Sequence, residues 1–362
     1  MRLKIIVTLS IIIGFATNAV AQPLSVFTNM QNQVMVWNKG MIRKVDYLPP
    51  TEIKIGRTVI PYIDNSRSFK VYYNGSVKQI NSGFTNEFNV SDNLMSYRNA
   101  TTLYVFDNGD VKQLSTYSSQ YYMGDSVLLF FDGIRSEYKA YYNGTVYPIE
   151  AFLAGDALQV VKVSDNIAAY DNYANQFHIF YLGSIINQEE YAVNSFEVGR
   201  NMVAYVDINR QFKIFHSGQT FITEDFPPSK YLAGDNIAAY VSYDGYFKIF
   251  YGDSVRSIGF FTPQDFRVVD NMVAWRDPSG YFKVFYKGEI TSLETYYPDK
   301  YVIQYNSIAY INRSNVLRLF TEGELYDVTT ATVEGWELSY DVLKYQIGNN
   351  MFRINYKGQE YY

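Results

Sequence analysis

Eight basic side chains recur at one position of a repeated motif: Lys70, Lys139, His178, Lys213, Lys248, Lys283, Arg318 and Arg353. They sit in segments such as Phe212-Lys213-Ile214-Phe215, and only Tyr104 breaks the run. On a strand they project opposite to Phe212, Ile214 and their equivalents. A ring of positive charge about an axis would bind an anion or an acidic glycan. Alternatively, each stem lies along a neighbouring unit while its cationic head meets an acid or a Tyr ring. A residue present in nearly every unit serves the unit, so the column is read as structural. A second column holds Asp92, Asp125, Asp165, Asp235 and Asp270, with Arg57, Arg200, Tyr305 and Tyr340 in other units. Calcium loops need several oxygen ligands converging within one short loop. One Asp and one following Asn per turn do not supply them. The expected role is turn closure by Asx bonds, and no metal or cofactor is expected.

Other chemistry is sparse. With no Cys, thiol nucleophiles, thiolate zinc sites and iron–sulfur clusters are excluded. The only imidazoles are His178 and His216. There is no Gly-x-Ser-x-Gly elbow, phosphate loop or His-Glu-x-x-His motif. Glu189-Glu190 and Glu224-Asp225 are adjacent acids in connecting loops and read as solvated. Paired carboxylates of a glycosidase meet in space rather than in sequence, so a hydrolase stays open as an alternative. The 36 Tyr include doublets such as Tyr72-Tyr73 and Tyr296-Tyr297 that cannot both face a core. Exposed rings of this kind are platforms for sugars and protein hot spots. Trp37, Trp275 and Trp336 read as packing residues. Loops that break the repeat are the candidate binding residues: Phe152 and Leu153, within 152–158, and Phe226, Pro227 and Pro228.

These columns need a periodic scaffold, and the chain supplies one. Tyr170, Tyr205, Tyr240, Trp275, Tyr310 and Tyr345 are each 35 residues apart. Phe130, Tyr97, Tyr62 and Phe27 extend the series to ten units, with one long interval of 40 before Tyr170. The unit at 229–263 reads as four short strands: near 231–233, 237–241, 246–251 and 255–258. The runs are rich in Val, Ile, Tyr and Phe and are separated by Gly, Asn and Asp. Asn74-Gly75, Asn108-Gly109 and Asn143-Gly144 predict two-residue hairpins between the third and fourth strands. A short polar column including Asp64, Asn172 and Asp207 is suited to cap the turn between the second and third. Four antiparallel strands per unit, repeated end to end, predict an all-β propeller of ten units of about 35 residues. One large ring, two smaller rings divided near 151–160, or an open stack satisfy the pattern. The stretch 234–253, GDNIAAYVSYDGYFKIFYGD, resembles the blades of TolB-like and WD40-type propellers. It lacks the Ser-Pro-Asp-Gly turn of the former and the Trp-Asp ending of the latter. The resemblance implies the fold and carries no functional residue.

Residues 1–21 read as a secretory signal peptide. Arg2 and Lys4 form the basic region, 5–16 the apolar region, and Ala19-Val20-Ala21 the cleavage site. Residues 22–362 then form the propeller, periplasmic or extracellular, with no Cys at the cleavage point for a lipid anchor. Its 29 basic and 36 acidic residues leave a net charge of −7, which opposes nucleic-acid binding. No later segment approaches 18 uninterrupted apolar residues, so no membrane insertion of the mature chain is expected. The expected function is non-catalytic: protein binding or scaffolding in a bacterial cell envelope, with glycan binding as the alternative.

Overall fold

The computed structural model describes residues 23–81, 85, 87–151, 158, 160–348 and 351–362. Among them, 39 strands and no helix form ten antiparallel sheets. Nine sheets have four strands, a to d, in chain order. The first has three, Leu24–Thr28, Val34–Asn38 and Met41–Asp46, equivalent to b, c and d. In blade 7 the strands are Lys230–Ala233, Ile237–Val241, Tyr246–Tyr251 and Ser254–Phe260. Strands b and c have the bounds expected from sequence. Strand d runs longer because its ladder with strand c continues to the Tyr246–Phe260 pair. At the c–d turn, Asn74 and Gly75 both have positive φ, 46° and 83°, as a type I′ hairpin requires. At the b–c turn, Asp64 Oδ1 accepts from the Ser66 and Ser68 amides, each at 2.8 Å.

Sheets stack face to face, and one hydrophobic cluster fills each seam. Phe212, Ile214, Tyr240 and Phe250 join blades 6 and 7. The seam at the long interval is continuous too: Leu129, Ile149 and Leu158 pack on Ala168, Tyr170 and Phe180. Blade 10 closes on blade 1 through Trp37, which packs on Tyr356 and Tyr361 at 5.2 and 5.4 Å between ring centroids. Lys344 Nζ also donates to the Val26 carbonyl at 2.8 Å. The chain is therefore one ring, which removes the alternatives of two rings and an open stack. No strand is shared across the closing seam, and every blade comes from one contiguous stretch.

A β-bulge recurs in nine blades where strands c and d pair, as between Phe247 and Lys248. The extra residue lies on strand d and redirects the residue after it. That residue is an acid in several blades, and it reaches into the next blade. Glu224 accepts from the Tyr240 hydroxyl at 2.7 Å and from Lys248 at 2.8 Å. Glu189 does the same for Tyr205 and Lys213, each at 2.8 Å. Glu294 serves Tyr310 and Arg318 at 3.1 and 2.7 Å. Glu189 and Glu224 are thus not solvated loop acids: the bulge turns them inward as interblade clasps. Blade 8 has Trp275 in place of the Tyr, and the clasp acid is replaced by Gly259. A Cβ at Gly259 would lie 2.8 Å from the Phe261 ring, which packs there instead. Glu224→Ala should cost about 2 kcal/mol, because it orphans a half-buried ammonium and a buried hydroxyl together. Urea unfolding measures this; Glu190→Ala, at an exposed carboxylate, is the neutral control.

Candidate binding face and the charged axis

Strands a of neighbouring blades touch, and strand d is largely exposed, so strand a lines the axis and strand d the rim. The a–b and c–d turns then share one face. The b–c turns and the d-to-a connections share the other.

On the first face the a–b turns pack shoulder to shoulder around the axis. A Cβ on Gly199 would fall 1.9 Å from the Gly234 carbonyl oxygen, and one on Gly234 would fall 2.4 Å from that of Asp270. Bonds run from turn to turn. The Arg200 amide donates to Asp235 Oδ1 at 3.2 Å, and the Asp92 amide to Asp125 Oδ1 at 3.1 Å. An amide ladder follows the same path: Asn166 to Asn201 at 2.7 Å, then Asn201 to Asn236 at 2.9 Å. The Asp column thus bonds mainly between blades, where Asx closure within each turn was expected. Arg200 Nη2 lies 3.1 Å from Asp165 and 3.8 Å from Asp125, and its Nε 3.8 Å from Asp235. Arg57 lies over the Tyr305 ring at 4.2 Å and donates to its hydroxyl, and Tyr305 packs edge-on against Tyr340. These three bulky residues come from blades 2, 9 and 10. They flank blade 1, which has no a–b turn among the described residues.

Five Asp face two Arg here, so the axis is short of positive charge. Burial pushes the Asp235 carboxyl up to about 8, helped by its hydrogen bond to Asp165. Burial and the Asp165 charge push Asp92 up to about 6, and burial brings Asp270 to about 6 against its backbone bond to Tyr305. A cavity of about 320 Å³ lies against the turns of blades 4 to 8. Among the described residues, no three acids or imidazoles are placed to hold a metal ion together. Bonds between neighbouring turns, together with the longer reaches of Arg200 to Asp125 and of Arg57 to Tyr305, tie the turns together around the axis.

The basic column lies in the blades, each member beside an acid. Lys70 meets Asp64 at 2.7 Å, Lys139 Asp132 at 2.5 Å, Lys213 Asp207 at 2.8 Å and Lys283 Asp277 at 2.9 Å. His178 lies 3.4 Å from Glu150, Lys248 2.8 Å from Glu224, Arg318 2.7 Å from Glu294 and Arg353 3.2 Å from Glu360. Tyr104, which interrupts the column, stacks on Tyr97 at 4.8 Å.

The second face collects the exposed aromatics. Among the described residues, ten aromatic side chains are exposed. Nine lie here: Tyr47, Tyr117, Tyr173, Tyr191, Phe226, Tyr243, Tyr246, Phe260 and Tyr281. The tenth, Tyr362, is the final residue. The rings are densest on blades 6 and 7, where Phe226 lies 5.4 Å from Tyr243 and Tyr246 lies 5.0 Å from Phe260. Phe226 is exposed and Pro227 half-buried, whereas Pro228 is buried and anchors the loop. Phe152 and Leu153 lie outside the described residues, as do residues 1–22. The Tyr excess was visible in the sequence. Its segregation to one face follows from the topology, which places b–c turns and d-to-a connections together.

The 10-bladed beta propeller domain model matches residues 18–361, and the chain belongs to that family. No curated protein matches it. Among solved structures, the computationally designed Ika8 protein is similar at 15% identity and TM-score 0.34, over 75% of this chain and 96% of that one. Prp20p from Saccharomyces cerevisiae is similar at 10% identity and TM-score 0.33, over 63% and 81%. The CRINKLY WD40 ectodomain of the Arabidopsis thaliana receptor kinase ACR4 is similar at 12% identity and TM-score 0.34, over 65% and 92%. Among the described residues, no helix is long and apolar enough to cross a membrane.

Proposed function

We propose that this chain is an exported, non-catalytic propeller that holds a partner protein on its aromatic face, within a bacterial cell envelope. The observation that carries this reading is the segregation of nine exposed rings to one face of the ring. Large aromatic side chains dominate protein hot spots, because they bury much area at little entropic cost. The charged groups support a structural assignment: the basic column is paired within and between blades, and the axial acids join neighbouring turns. The basic, apolar and small-residue succession in 1–21 supports export.

The test is a pull-down from envelope extract with residues 22–362, comparing two triple variants. Phe226→Ser, Tyr243→Ser and Phe260→Ser together should abolish capture of a defined protein. Three Ser substitutions on the opposite face and rim, at Lys39, Leu182 and Lys287, should leave it intact. Equal capture by both variants overturns the reading. A second reading, a lectin-like face, is favoured by the recurrence of exposed rings in or at the start of d-to-a connections, at Tyr47, Tyr117, Tyr191, Phe226 and Phe260. Elution of polysaccharide rather than protein from the same beads would select it.

A further inference from the structure

We infer that a cleft between blades 8, 9 and 10 is a subsite for a saccharide bearing a carboxylate. It draws on the lectin-like reading but uses residues remote from Phe226, Tyr243 and Phe260. The cleft has a volume of about 270 Å³, and its lining includes Tyr296, Asp299, Lys300, Arg313 and Trp336. That is just below the usual range of ligand pockets, roughly 300 Å³ upward, and suits a subsite for a single sugar ring.

One departure from the repeat, Arg313, meets two of its aromatic positions here, Tyr296 and Trp336. Trp336 is the only Trp at its strand a position; Phe88, Phe196, Phe266 and Tyr301 hold it elsewhere. Arg313 is the only cation at the position directly after the turn's capping residue, where other blades carry Met30, Asn65, Tyr173, Ile208 or Tyr243. Tyr296 opens a connection that runs Tyr-Tyr-Pro-Asp. Residues that serve the blade repeat from blade to blade; Arg313 does not.

The chemistry of the lining fits one ligand class. Trp336 is half-buried and presents a ring to the cleft, the surface on which a sugar face stacks. The Arg313 guanidinium lies 4.1 Å from the Tyr296 ring centroid, and the Arg313 amide N–H donates to the Tyr296 hydroxyl oxygen at 2.7 Å. The guanidinium is therefore held over the Tyr296 ring at the edge of the cleft, where it can meet a carboxylate. Lys300 Nζ lies 5.5 Å from the Trp336 ring centroid and adds a second positive charge. Neither cation forms an ion pair among the described residues, in contrast to the seven Lys and Arg members of the basic column. Asp299 at the lip is the single opposing charge, which leaves the cleft net positive on a net negative protein. An aromatic platform beside two unneutralised cations selects an acidic sugar over a neutral one.

Trp336 is also the reporter. Trp37 and Trp275 are fully buried, so a ligand-dependent change in tryptophan emission comes from the cleft. Residues 22–362 titrated with trigalacturonate should give a saturable change, and calorimetry should give the same affinity. Arg313→Gln should weaken binding about tenfold, and Lys300→Gln should weaken it less. Both side chains are exposed, so both variants should keep the wild-type circular dichroism. Cellotriose, the neutral probe, should bind at least about tenfold more weakly than trigalacturonate. Equal binding of cellotriose overturns the inference, as does an unchanged affinity in Arg313→Gln. Triglutamate binding as tightly as trigalacturonate also overturns it, because the cleft would then read a carboxylate without a sugar. Loss of partner capture in the Phe226, Tyr243 and Phe260 variant leaves this titration unaffected, so the two readings fail separately.

Discussion

Gly199→Ala should destabilise the ring by about 3 kcal/mol, the upper end of the range for overpacking. The added methyl would meet the Gly234 carbonyl oxygen at 1.9 Å and its carbon at 2.4 Å. Both are backbone atoms, so no rotamer change relieves the contact. Gly234 has no room to retreat, because its own Cα abuts the Asp270 carbonyl in the next turn. Strain introduced at one turn is therefore passed around the axis. Two controls separate this from the general cost of replacing glycine. Gly218, at φ +89° with nothing within 4 Å of an added Cβ, should lose about 1 kcal/mol as Ala, through backbone conformation alone. Gly335, with open space and no positive φ, should be neutral or slightly stabilised by the loss of unfolded-state freedom. Urea midpoints followed by circular dichroism rank the three. A Gly199→Ala midpoint equal to that of Gly335→Ala would mean that the turns are not in contact.

The second large effect is a dependence on pH set by the axial acids. Asp235, Asp92 and Asp270 hold their protons more tightly in the folded ring than in the unfolded chain. The stability linked to that proton binding is complete below the usual carboxylate range. It is lost as pH rises, through about 6 for Asp92 and Asp270 and about 8 for Asp235. Paired acids such as Asp64 and Asp277 act in the opposite sense at lower pH, because their lysines hold them below the usual range. The melting temperature should therefore fall between pH 5 and pH 9, after a rise from more acidic conditions. Asp235→Asn keeps the shape and removes the proton linkage, so its melting temperature should fall less over the same interval. Arg200→Met acts in the other direction. It removes the cation facing Asp125, Asp165 and Asp235 and should cost about 2–3 kcal/mol at pH 8 and less at pH 5. This is below the 3–5 kcal/mol of a fully buried pair, because Arg200 is about a third exposed. Parallel curves of melting temperature against pH for the wild type and Asp235→Asn would refute the assignment.

Much of this architecture is legible in the residues. The 35-residue spacing of Tyr170 through Tyr345 counts the blades, and the Asn-Gly pairs locate the hairpins, because each records a local constraint on the backbone. Ring closure is not local. It depends on Trp37 meeting Tyr356 and Tyr361 across more than 300 residues, and no periodicity reports that contact. The clasp acids were hidden for a different reason. A bulge adds one residue to strand d, and alternation counted along the strand then assigns Glu189 and Glu224 to the wrong side. Their trace was present as a constant spacing of 16 residues to Tyr205 and Tyr240. The paired exchange of Tyr for Trp275 and of Glu for Gly259 is a second trace. In the candidate face, Phe226 and its prolines were visible as a break in the repeat. Tyr243 and Phe260 were not singled out, because exposure is a property of the face and only the strand order defines it. Arg57, Tyr305 and Tyr340 were visible as exceptions to an Asp column, but their position beside blade 1 gives the reason for their size.

The bulge and its clasp give each blade a direction. In a clasped blade the Tyr and the Lys or Arg look back to the acid of the blade before it, as Tyr205 and Lys213 do to Glu189 and Tyr240 and Lys248 to Glu224. The clasped junctions are thus head to tail, with the same kinds of donor on one side and the same acceptor on the other. Because each blade is also one unbroken stretch of chain, a duplicated stretch of one period would arrive with both halves of its junctions already complementary to its neighbours. Such a lineage can lengthen or shorten by whole wedges without redesigning any surface. What resists the change is the closed circle itself, whose charged hub has to be refitted whenever the number of spokes changes.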